Sequence, residues 1–266
     1  MPNDALLQRL ELAKSAAYAA GQVTLQYFQS DIDVERKADQ SPITIADRES
    51  EQLLRKQINE QFPDDGIIGE EFGEQSGTSS IRWILDPIDG TKSFISGVPL
   101  YGTLVGLMDG EECVAGVIYI PGLDEMVYAA VGQGAWYVTG KSAPERARVS
   151  DKTDLSDSLF VTSEVKTFRE RDAIGAYEQL EQLAYISRSW GDCYGYLLVA
   201  TGRAEVMVDP EMNIWDAAAV KPIVDEAGGQ FTDWQGQRTV TSGEGVATNG
   251  RVSAAVLDVT RQFTSN

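Results

Sequence analysis

The sequence predicts a mixed α+β and α/β fold, because the two halves of the chain show different patterns. Apolar residues recur every three or four positions over residues 4–30, which is the spacing of one helix face. Short apolar runs between residues 81 and 131 are separated by turn dipeptides such as Asp109-Gly110, as in an antiparallel meander. After about residue 145, predicted strands alternate with predicted helices, which is typical of an α/β half.

The first half begins with two predicted helices, over residues 4–30 and roughly 44–61. Pro42 precedes the second helix, and residues 62–66 end it with strong helix breakers. Strands are then predicted wherever β-type apolar runs lie between turn residues. They cover residues 67–69, 81–85, 103–108, 113–120 and 126–131.

The second half is predicted to alternate between the two kinds of element. Its strands cover residues 159–162, 184–186, 204–208, the neighbourhood of 231, and 246–248. Its helices cover residues 169–183, 191–201 and 215–226, and a last segment runs from 252 to 263. Gly228-Gly229 is the stop signal for the third of these helices.

The composition of the 266-residue chain limits its partners and its location. Hydrophobic residues make up 42% of it, and no stretch approaches the roughly 20 apolar residues that a membrane span needs. The formal charge of −19 disfavours nucleic acid and anionic membranes. Residues 1–4 show no signal-peptide pattern, and Cys113 and Cys193 form no CxxC pair. We therefore expect a cytoplasmic protein that binds neither nucleic acid nor a membrane.

No histidine occurs anywhere in the chain. A Ser-His-Asp triad, a phosphohistidine intermediate and a His-ligated zinc site are therefore excluded. Any metal ligands must be oxygens or the two isolated sulfurs, and oxygen ligands favour magnesium, manganese or calcium. A bound divalent cation would also offset the negative charge of the chain where a phosphate approaches.

Residues 83–91 concentrate groups that suit metal and phosphate chemistry. An apolar run ends in Asp86 and Asp89, and Gly90-Thr91 then opens a short predicted helix. Two carboxylates at such a turn can share a hard cation. The backbone N–H groups of Gly90 and Thr91 are phosphate-binding candidates, because they would point at an anion near the helix N-terminus. Asp-Pro and Asp-Gly are also common in turns, so a capped turn without chemistry is the alternative.

Three further carboxylates stand where predicted strands end or helices begin. Glu70 follows a short apolar strand, Asp216 opens an apolar helix, and Asp47 stands at capping-box spacing from Thr44. Each has a structural alternative, namely a solvated surface residue, a partner of the helix dipole and a helix cap, respectively. Together with residues 83–91 they favour a shared metal site.

At this point the chain resembles the inositol monophosphatase superfamily. Residues 83–96, WILDPIDGTKSFIS, resemble its first signature, and residues 215–229, WDAAAVKPIVDEAGG, resemble its second. The resemblance implies a layered α-β-α-β-α sandwich of the inositol monophosphatase and fructose-1,6-bisphosphatase type. It also implies an N-terminal α+β part, residues 1–145, with most metal ligands, and a C-terminal α/β part, residues 146–266. Homodimers are common in the family.

The resemblance further implies a site for two to three magnesium ions, with manganese as the alternative metal. Glu70, Asp86 and the backbone carbonyl of Ile88 would bind the first ion. Asp86, Asp89 and Asp216 would bind the second. A third, weaker ion would be shared by Glu70 and water.

The implied activity is hydrolysis of a small phosphate monoester by a metal-activated water. Thr91, paired with Asp47, resembles the family's water-positioning dyad, and Glu70 belongs to the same catalytic group. Asp47 would accept a proton through Thr91, and the metals would neutralise the phosphoryl group. No covalent intermediate is needed.

The histidinol-phosphatase branch of the superfamily is the closest match. The segments that favour it cover residues 92–97, 99–103, 191–196 and 213–216. The expected substrate is therefore histidinol phosphate, an intermediate of histidine biosynthesis. Inositol-1-monophosphatase or another small-molecule phosphatase of the superfamily is the alternative.

Substrate selection is expected from the second half of the chain. A cationic amino alcohol suits carboxylates, so Asp192 and Asp209 are candidates, with Asn213 nearby. Asp192 could instead be a helix cap, and Asp209 part of an Asp-Pro turn. Arg203 could reach the substrate or pair with a carboxylate. Lys37 resembles a family position close to the metal site.

Other nucleotide and phosphatase patterns fail on spacing. A haloacid-dehalogenase phosphatase needs D-x-D, but Asp86 and Asp89 form D-x-x-D. A cysteine phosphatase needs arginine six positions after the cysteine, where Tyr119 and Val199 stand. Residues 245–250 resemble a P-loop but lack its Lys-Ser/Thr ending. A catalytically inactive homologue is the non-enzymatic alternative, and the presence of every expected metal ligand disfavours it.

Overall fold

The computed structural model describes residues 3–263, in which two main β-sheets alternate with groups of helices. The helices are α1 (Asn3–Tyr27), α2 (Ile45–Gln61), α3 (Thr91–Ile95), α4 (Val165–Glu170), α5 (Ile174–Leu183), α6 (Asp192–Ala200), α7 (Ile214–Ala217), α8 (Val220–Glu226) and α9 (Ser253–Thr260). The strands are β1 (Glu35–Arg36), β2 (Pro42–Ile43), β3 (Gly66–Gly69), β4 (Gly73–Gln75), β5 (Ile81–Asp89), β6 (Gly102–Asp109), β7 (Glu112–Ile120), β8 (Glu125–Ala130), β9 (Gly134–Thr139), β10 (Glu145–Arg146), β11 (Leu159–Val161), β12 (Ile186–Arg188), β13 (Val206–Asp209), β14 (Gln230–Thr232) and β15 (Gly245–Thr248).

The larger sheet has eight strands in the order β10-β9-β8-β7-β6-β5-β3-β4. From β5 to β10 each strand is antiparallel to its neighbour, which confirms the predicted meander. Strand β3 instead runs parallel to β5, with Gly69 opposite Leu85 at the end of the pairing. The next residues along the two strands are Glu70 and Asp86, so this register brings the two carboxylates to the same edge of the sheet.

The smaller sheet has five strands in the order β12-β11-β13-β15-β14. Strand β11 is parallel to both β12 and β13, whereas β15 is antiparallel to both β13 and β14. Asp209 is the last residue of β13, so it lies at the C-terminal end of this central strand. Strands β1 and β2 form a separate two-stranded ribbon that leads into α2.

Side-chain alternation along two strands shows that both sheets are covered on both faces. On β5, Trp83 and Leu85 belong to a core with α1 and α2, whereas Ile84 belongs to a core between the sheets. On β13, Met207 faces that middle core, and Val206 faces an outer core with α4, α5 and α9. The middle core also contains α6, α7 and α8. This order of layers confirms the α-β-α-β-α sandwich.

Two glycines bring the middle helices close to the larger sheet. Gly106 on β6 and Gly116 on β7 are direct cross-strand partners. A Cβ on Gly116 would lie 2.0 Å from the carbonyl oxygen of Ala219, and one on Gly106 would lie 2.9 Å from the backbone nitrogen of the same residue. The connection between α7 and α8 therefore lies directly on the sheet. Its close contact limits how far the nearby Asp216 can lie from the sheet.

Several predicted boundaries were wrong. The helix predicted over 169–183 is two helices, α4 and α5, because Asp172 adopts a left-handed φ of 57° between them. The helix predicted over 215–226 is divided into α7 and α8. The strand predicted at 184–186 lies at Ile186–Arg188, and the meander continues into β9 and β10, which the sequence did not predict.

The division of the chain near residue 145 stays a prediction. The second half contributes α6, α7 and α8 to the core that the larger sheet also forms, so the two parts share one interior. Within residues 3–263, none of the helices combines the length and the apolar character that crossing a membrane would require.

Candidate active site and metal centre

A cleft of about 590 Å³ opens where the two sheets and the middle helices meet. It contains eleven of the residues that the sequence singled out: Lys37, Glu70, Asp86, Ile88, Asp89, Gly90, Thr91, Asp192, Asp209, Asn213 and Asp216. Asp47 lies behind Thr91 and is fully buried. Arg203 is not among the residues that line the cleft.

Three aspartates converge at the floor of the cleft. One carboxylate oxygen from each of Asp86, Asp89 and Asp216 lies within 4.8 Å of the others. The first two come from the end of β5, where the pairing with β6 shifts register between them. Asp216 comes from the first turn of α7, where its carboxylate accepts a hydrogen bond from the backbone nitrogen of Asn213 at 2.6 Å. Residues far apart in sequence thus form one acidic cluster that could hold a metal ion.

Glu70 lies beside this cluster at the end of β3. Its backbone nitrogen donates to the carbonyl oxygen of Leu85 at 3.1 Å, which continues the pairing with β5 by one residue. Lys37 Nζ donates to one oxygen of Glu70 at 2.7 Å and to one oxygen of Glu71 at 2.8 Å. Burial lowers the pKa of Lys37, but these two carboxylates raise it more, so the ammonium stays charged. One fixed cation therefore already lies next to Glu70.

The acidic cluster has strongly perturbed proton affinities. Burial and the charges of Glu70, Asp89 and Asp216 raise the pKa of Asp86 well above its usual value. Burial and the charges of Asp192 and Asp216 do the same for the pKa of Asp89. Burial, with the charge of Glu70, raises the pKa of Asp216 to about 7. Such a cluster needs protons or a cation near neutral pH, and its oxygen-only donor set fits a hard divalent cation.

Asp47 combines the predicted helix-capping role with a contact to Thr91. It completes a capping box at the start of α2, where Thr44 donates from its backbone nitrogen at 2.8 Å and from its hydroxyl at 2.6 Å. Its other carboxylate oxygen lies 3.5 Å from the Thr91 hydroxyl. Burial raises the pKa of Asp47 above its usual value, and the charge of Glu70 adds to the effect. The structural and the chemical interpretations of this residue are therefore compatible.

Gly90 occupies the turn between β5 and α3 with a φ of 84°. This left-handed conformation favours glycine, and a Cβ there would lie 2.8 Å from a carboxylate oxygen of Asp192. The same turn brings Thr91 to the start of α3. The predicted cradle of backbone N–H groups at Gly90 and Thr91 stays a prediction.

Asp192 faces the cleft from the start of α6. It has a left-handed φ of 51°, and its backbone nitrogen donates to the Ser163 hydroxyl at 2.8 Å. The residue that precedes the helix is Gly191, so Asp192 is not the helix cap that was one alternative for it. Burial and the charge of Asp209 raise the pKa of Asp192 to about 7, although Lys92 lowers it in part.

Asp209 is more completely hydrogen-bonded than Asp192. It accepts from the Ser163 backbone nitrogen at 2.9 Å and from the Tyr196 hydroxyl at 3.0 Å. Asn213 stands at the N-cap position of α7. Arg203 instead pairs with Glu125 at 2.6 Å, so the structure has the carboxylate pairing that was one alternative for this residue.

The sequence interpretation missed several groups that line the cleft. Tyr196 and Ser163 donate hydrogen bonds to Asp209, and Lys92 forms an ion pair with Glu164, which also lines the cleft. Glu71 lies beside Glu70 but outside the lining of the cleft, and burial with the charge of Glu70 raises the pKa of Glu71 to about 7. Lys92 and Tyr196 lie in the segments 92–97 and 191–196 that carry the family resemblance, and Glu71 directly follows Glu70, whereas Ser163 and Glu164 carried no sequence signal.

Comparison with known proteins agrees with this architecture. A model of the inositol monophosphatase family matches residues 6–264. The chain is 44% identical to a histidinol-phosphatase of Chlorobaculum parvum, over 89% of this chain and 90% of that protein. It is 36% identical to a histidinol-phosphatase of Streptomyces coelicolor, over 96% and 98% of the two chains. The solved structure of a Thermotoga maritima IMPase has a TM-score of 0.87 and 28% identity, over 96% and 98%. The chain therefore belongs to the inositol monophosphatase family.

Proposed function

We propose that this protein is a magnesium-dependent phosphate monoester hydrolase. The convergence of Asp86, Asp89 and Asp216 within 4.8 Å carries the proposal. Oxygen ligands of this kind suit magnesium, which binds through a few carboxylates and substrate phosphate oxygens. Membership in a family of phosphatases supports the same reaction.

The proposed ligands are Glu70, Asp86, Asp89 and Asp216, with the backbone carbonyl of Ile88. Bound magnesium would supply a water of lowered pKa and neutralise charge on the phosphoryl group. We propose two ions, with a third near Glu70 that would compete with the Lys37 ammonium. Manganese is the alternative metal, because it accepts the same oxygen donors.

The chain's own groups would orient the attacking water and take its proton. The Thr91 hydroxyl faces the cleft and Asp47 lies behind it, so a proton can pass inward through the hydroxyl. Burial raises the pKa of Asp47, which makes it a better proton acceptor than an exposed aspartate. Backbone N–H groups at Gly90 and Thr91 would bind the phosphate oxygens.

We propose histidinol phosphate as the substrate. Its amine is cationic at neutral pH, and Asp192 and Asp209 place two carboxylates on the wall of the cleft, with Asp192 close to Gly90 at the start of α3. Lys92 and Glu164 already form an ion pair beside them, so this wall holds charged groups of both signs. Two relatives named histidinol-phosphatase, at 44% and 36% identity, support the same choice.

Inositol monophosphatase is the second candidate. It is favoured by the similarity to the Thermotoga maritima IMPase, although that identity is only 28%. A neutral polyol would be held by hydrogen bonds alone, and Asn213 at the cleft could supply one of them. The homodimer expected from the family stays a prediction.

A substrate panel with purified protein and magnesium tests the proposal. We expect histidinol phosphate to have a kcat/KM about 100-fold above that of inositol 1-phosphate, because a site that pairs with the amine rejects a ligand without it. Equal rates would overturn the substrate choice. Failure to hydrolyse any monoester with magnesium or manganese would overturn the assignment as a phosphatase and favour an inactive homologue.

A further inference from the structure

Helix α2 carries a buried ion pair that faces the loop containing Glu70. Glu51 is fully buried, and Arg55 Nε donates to one of its oxygens at 2.7 Å. The side chain of Arg55 is only 13% exposed. Neither residue lines the cleft, so the pair has no direct access to a substrate.

The loop after β3 wraps around the Glu51 carboxylate. One oxygen accepts from the backbone nitrogen of Glu71 at 2.7 Å, and the other accepts from that of Phe72 at 3.2 Å. Arg55 donates to the carbonyl oxygen of Gly73 on the far side of the loop. Two converging backbone N–H groups are a typical way to hold a carboxylate, so loop and carboxylate fix each other.

The end of β3 is shaped to admit this carboxylate. A Cβ on Gly69 would lie 2.1 Å from an oxygen of Glu51, so a side chain at this position would displace it. On the opposite side, the backbone nitrogen of Glu70 donates to Leu85 on β5. The backbone of Glu70 is therefore held between strand β5 and helix α2.

Glu51 and Asp47 stand four residues apart on α2, which places them on the same face of the helix. Asp47 contacts Thr91, and Glu51 holds the loop of Glu70. We propose that Glu51, supported by Arg55, is a positioning residue that sets the location of the Glu70 carboxylate relative to Asp47. This inference rests on the proposed function, since it assigns Glu70 to the metal site.

Charge and shape both matter for this role. Glutamine at position 51 has nearly the same size, but only its carbonyl oxygen can accept a hydrogen bond, because its NH2 group is a donor. One of the two loop N–H groups would then lose its acceptor, and Arg55 would lose its charged partner. The loop would shift, and Glu70 would shift with it.

The test is Mn²⁺ binding, measured from the electron paramagnetic resonance signal of free Mn²⁺, together with kcat as a function of magnesium. We expect Glu51→Gln to weaken Mn²⁺ binding about 10-fold or more, as is typical for groups that orient metal ligands. The kcat at saturating magnesium should recover to within about 3-fold of the wild-type value. A general loss of structure would lower kcat without such recovery.

Asp65→Asn is the matched control. Asp65 is also buried and pairs with an arginine, Arg9, at 2.7 Å, but it immediately precedes β3, and Glu70 follows the other end of the strand. It also accepts from Trp83 and Ser79. We expect this variant to lose thermal stability as much as Glu51→Gln while Mn²⁺ binding stays within about 2-fold of wild type.

Arg55→Lys keeps the inference testable if Glu51→Gln does not fold. Lysine keeps the positive charge but carries all its donors on one nitrogen, so it cannot reproduce the separate Nε and NH2 groups with which arginine reaches Glu51 and Gly73. We expect about 3-fold weaker Mn²⁺ binding. Wild-type binding in this variant and in any folded Glu51→Gln protein would overturn the positioning role alone. A wild-type protein that binds no divalent ion would overturn both the role and the proposed function.

Discussion

The Thr91 hydroxyl lies 3.5 Å from the Asp47 carboxylate, at the outer limit of a hydrogen bond. The same hydroxyl donates to the carbonyl oxygen of Ile88 at 3.0 Å. Because a hydroxyl carries a single proton, a small rotation decides which acceptor receives it. The contact between Thr91 and Asp47 links the start of α3 to the start of α2 just behind the cleft.

Removal of this hydroxyl should slow turnover without loss of metal binding. Thr91→Val preserves shape but removes the group that orients water, so we expect kcat to fall by about 10²-fold or more. Mn²⁺ affinity should stay within about 2-fold, because Thr91 is not a proposed ligand. Thr91→Ser is the control and should keep most of the activity. A Thr91→Val protein as active as wild type would exclude the dyad.

Neutralising one aspartate of the cluster should abolish activity and stabilise the metal-free protein. Burial raises the pKa of Asp89, which means that its ionised form is destabilised in the folded protein. Asp89→Asn removes this charge, so the metal-free variant should melt at a higher temperature than wild type at pH 8. Magnesium should raise its melting temperature less than that of wild type. Asp233→Asn, a buried carboxylate outside the cleft, should instead lower stability and leave turnover unchanged. Full activity in Asp89→Asn would contradict the metal assignment.

Stability of the metal-free protein should fall as pH rises from 5 to 8. The pKa of Asp192 and the pKa of Asp216 are both raised from 3.8 to about 7, with burial as the first cause. The folded state therefore binds more protons than the unfolded state, and this contribution is lost as pH rises through the folded value. For each group the effect is on the order of 4 kcal/mol or less.

Thermal denaturation in a chelating buffer measures this dependence. Magnesium should reverse it at pH 8, because the cation replaces the protons and stabilises the folded state by binding. Stability that rises between pH 5 and pH 8 in metal-free protein would show that the cluster is not destabilised by its own charge.

Asp192 should determine the substrate preference. Asp192→Asn removes the charge that would pair with the substrate amine, and asparagine tolerates the left-handed φ of 51° at this position. We expect kcat/KM for histidinol phosphate to fall about 10-fold or more. The value for p-nitrophenyl phosphate, which has no amine, should change by about 2-fold at most. Equal losses for both substrates would assign Asp192 a structural role instead.

Local patterns in the sequence predicted the first strands of the meander, and the position of carboxylates at strand ends, together with the family resemblance, predicted part of the cleft. Alternation and turn dipeptides mark β5 to β8, and the carboxylates stand where strands end. The strands β9 and β10 were not predicted, because β9 forms by pairing with β8 and β10 by pairing with β9, and such pairing depends on the neighbouring strand more than on a strand's own alternation. The division of 169–183 depends on one left-handed residue, Asp172, which no periodicity shows.

Contacts over long sequence distances account for what the sequence could not predict at the site. Glu51 reads as an ordinary polar residue of an amphipathic helix, and only the fold brings the backbone of Glu71 to it, 20 positions later. Arg203 has the same ambiguity, and its partner Glu125 lies 78 positions earlier. Such pairings are set by packing of whole layers, which residue order alone does not specify.

The glycine pair Gly106 and Gly116 gives the larger sheet a local depression into which the chain of Ala219 settles. Asp216 belongs to the same segment and precedes Ala219 by three residues. Because Ala219 approaches the sheet so closely, the position of Asp216 in the cleft depends on the absence of a side chain at two positions that do not themselves line the cleft. A larger residue at either position would push the backbone of Ala219 away from the sheet and displace Asp216 with it, although no carboxylate of the cleft would itself be changed.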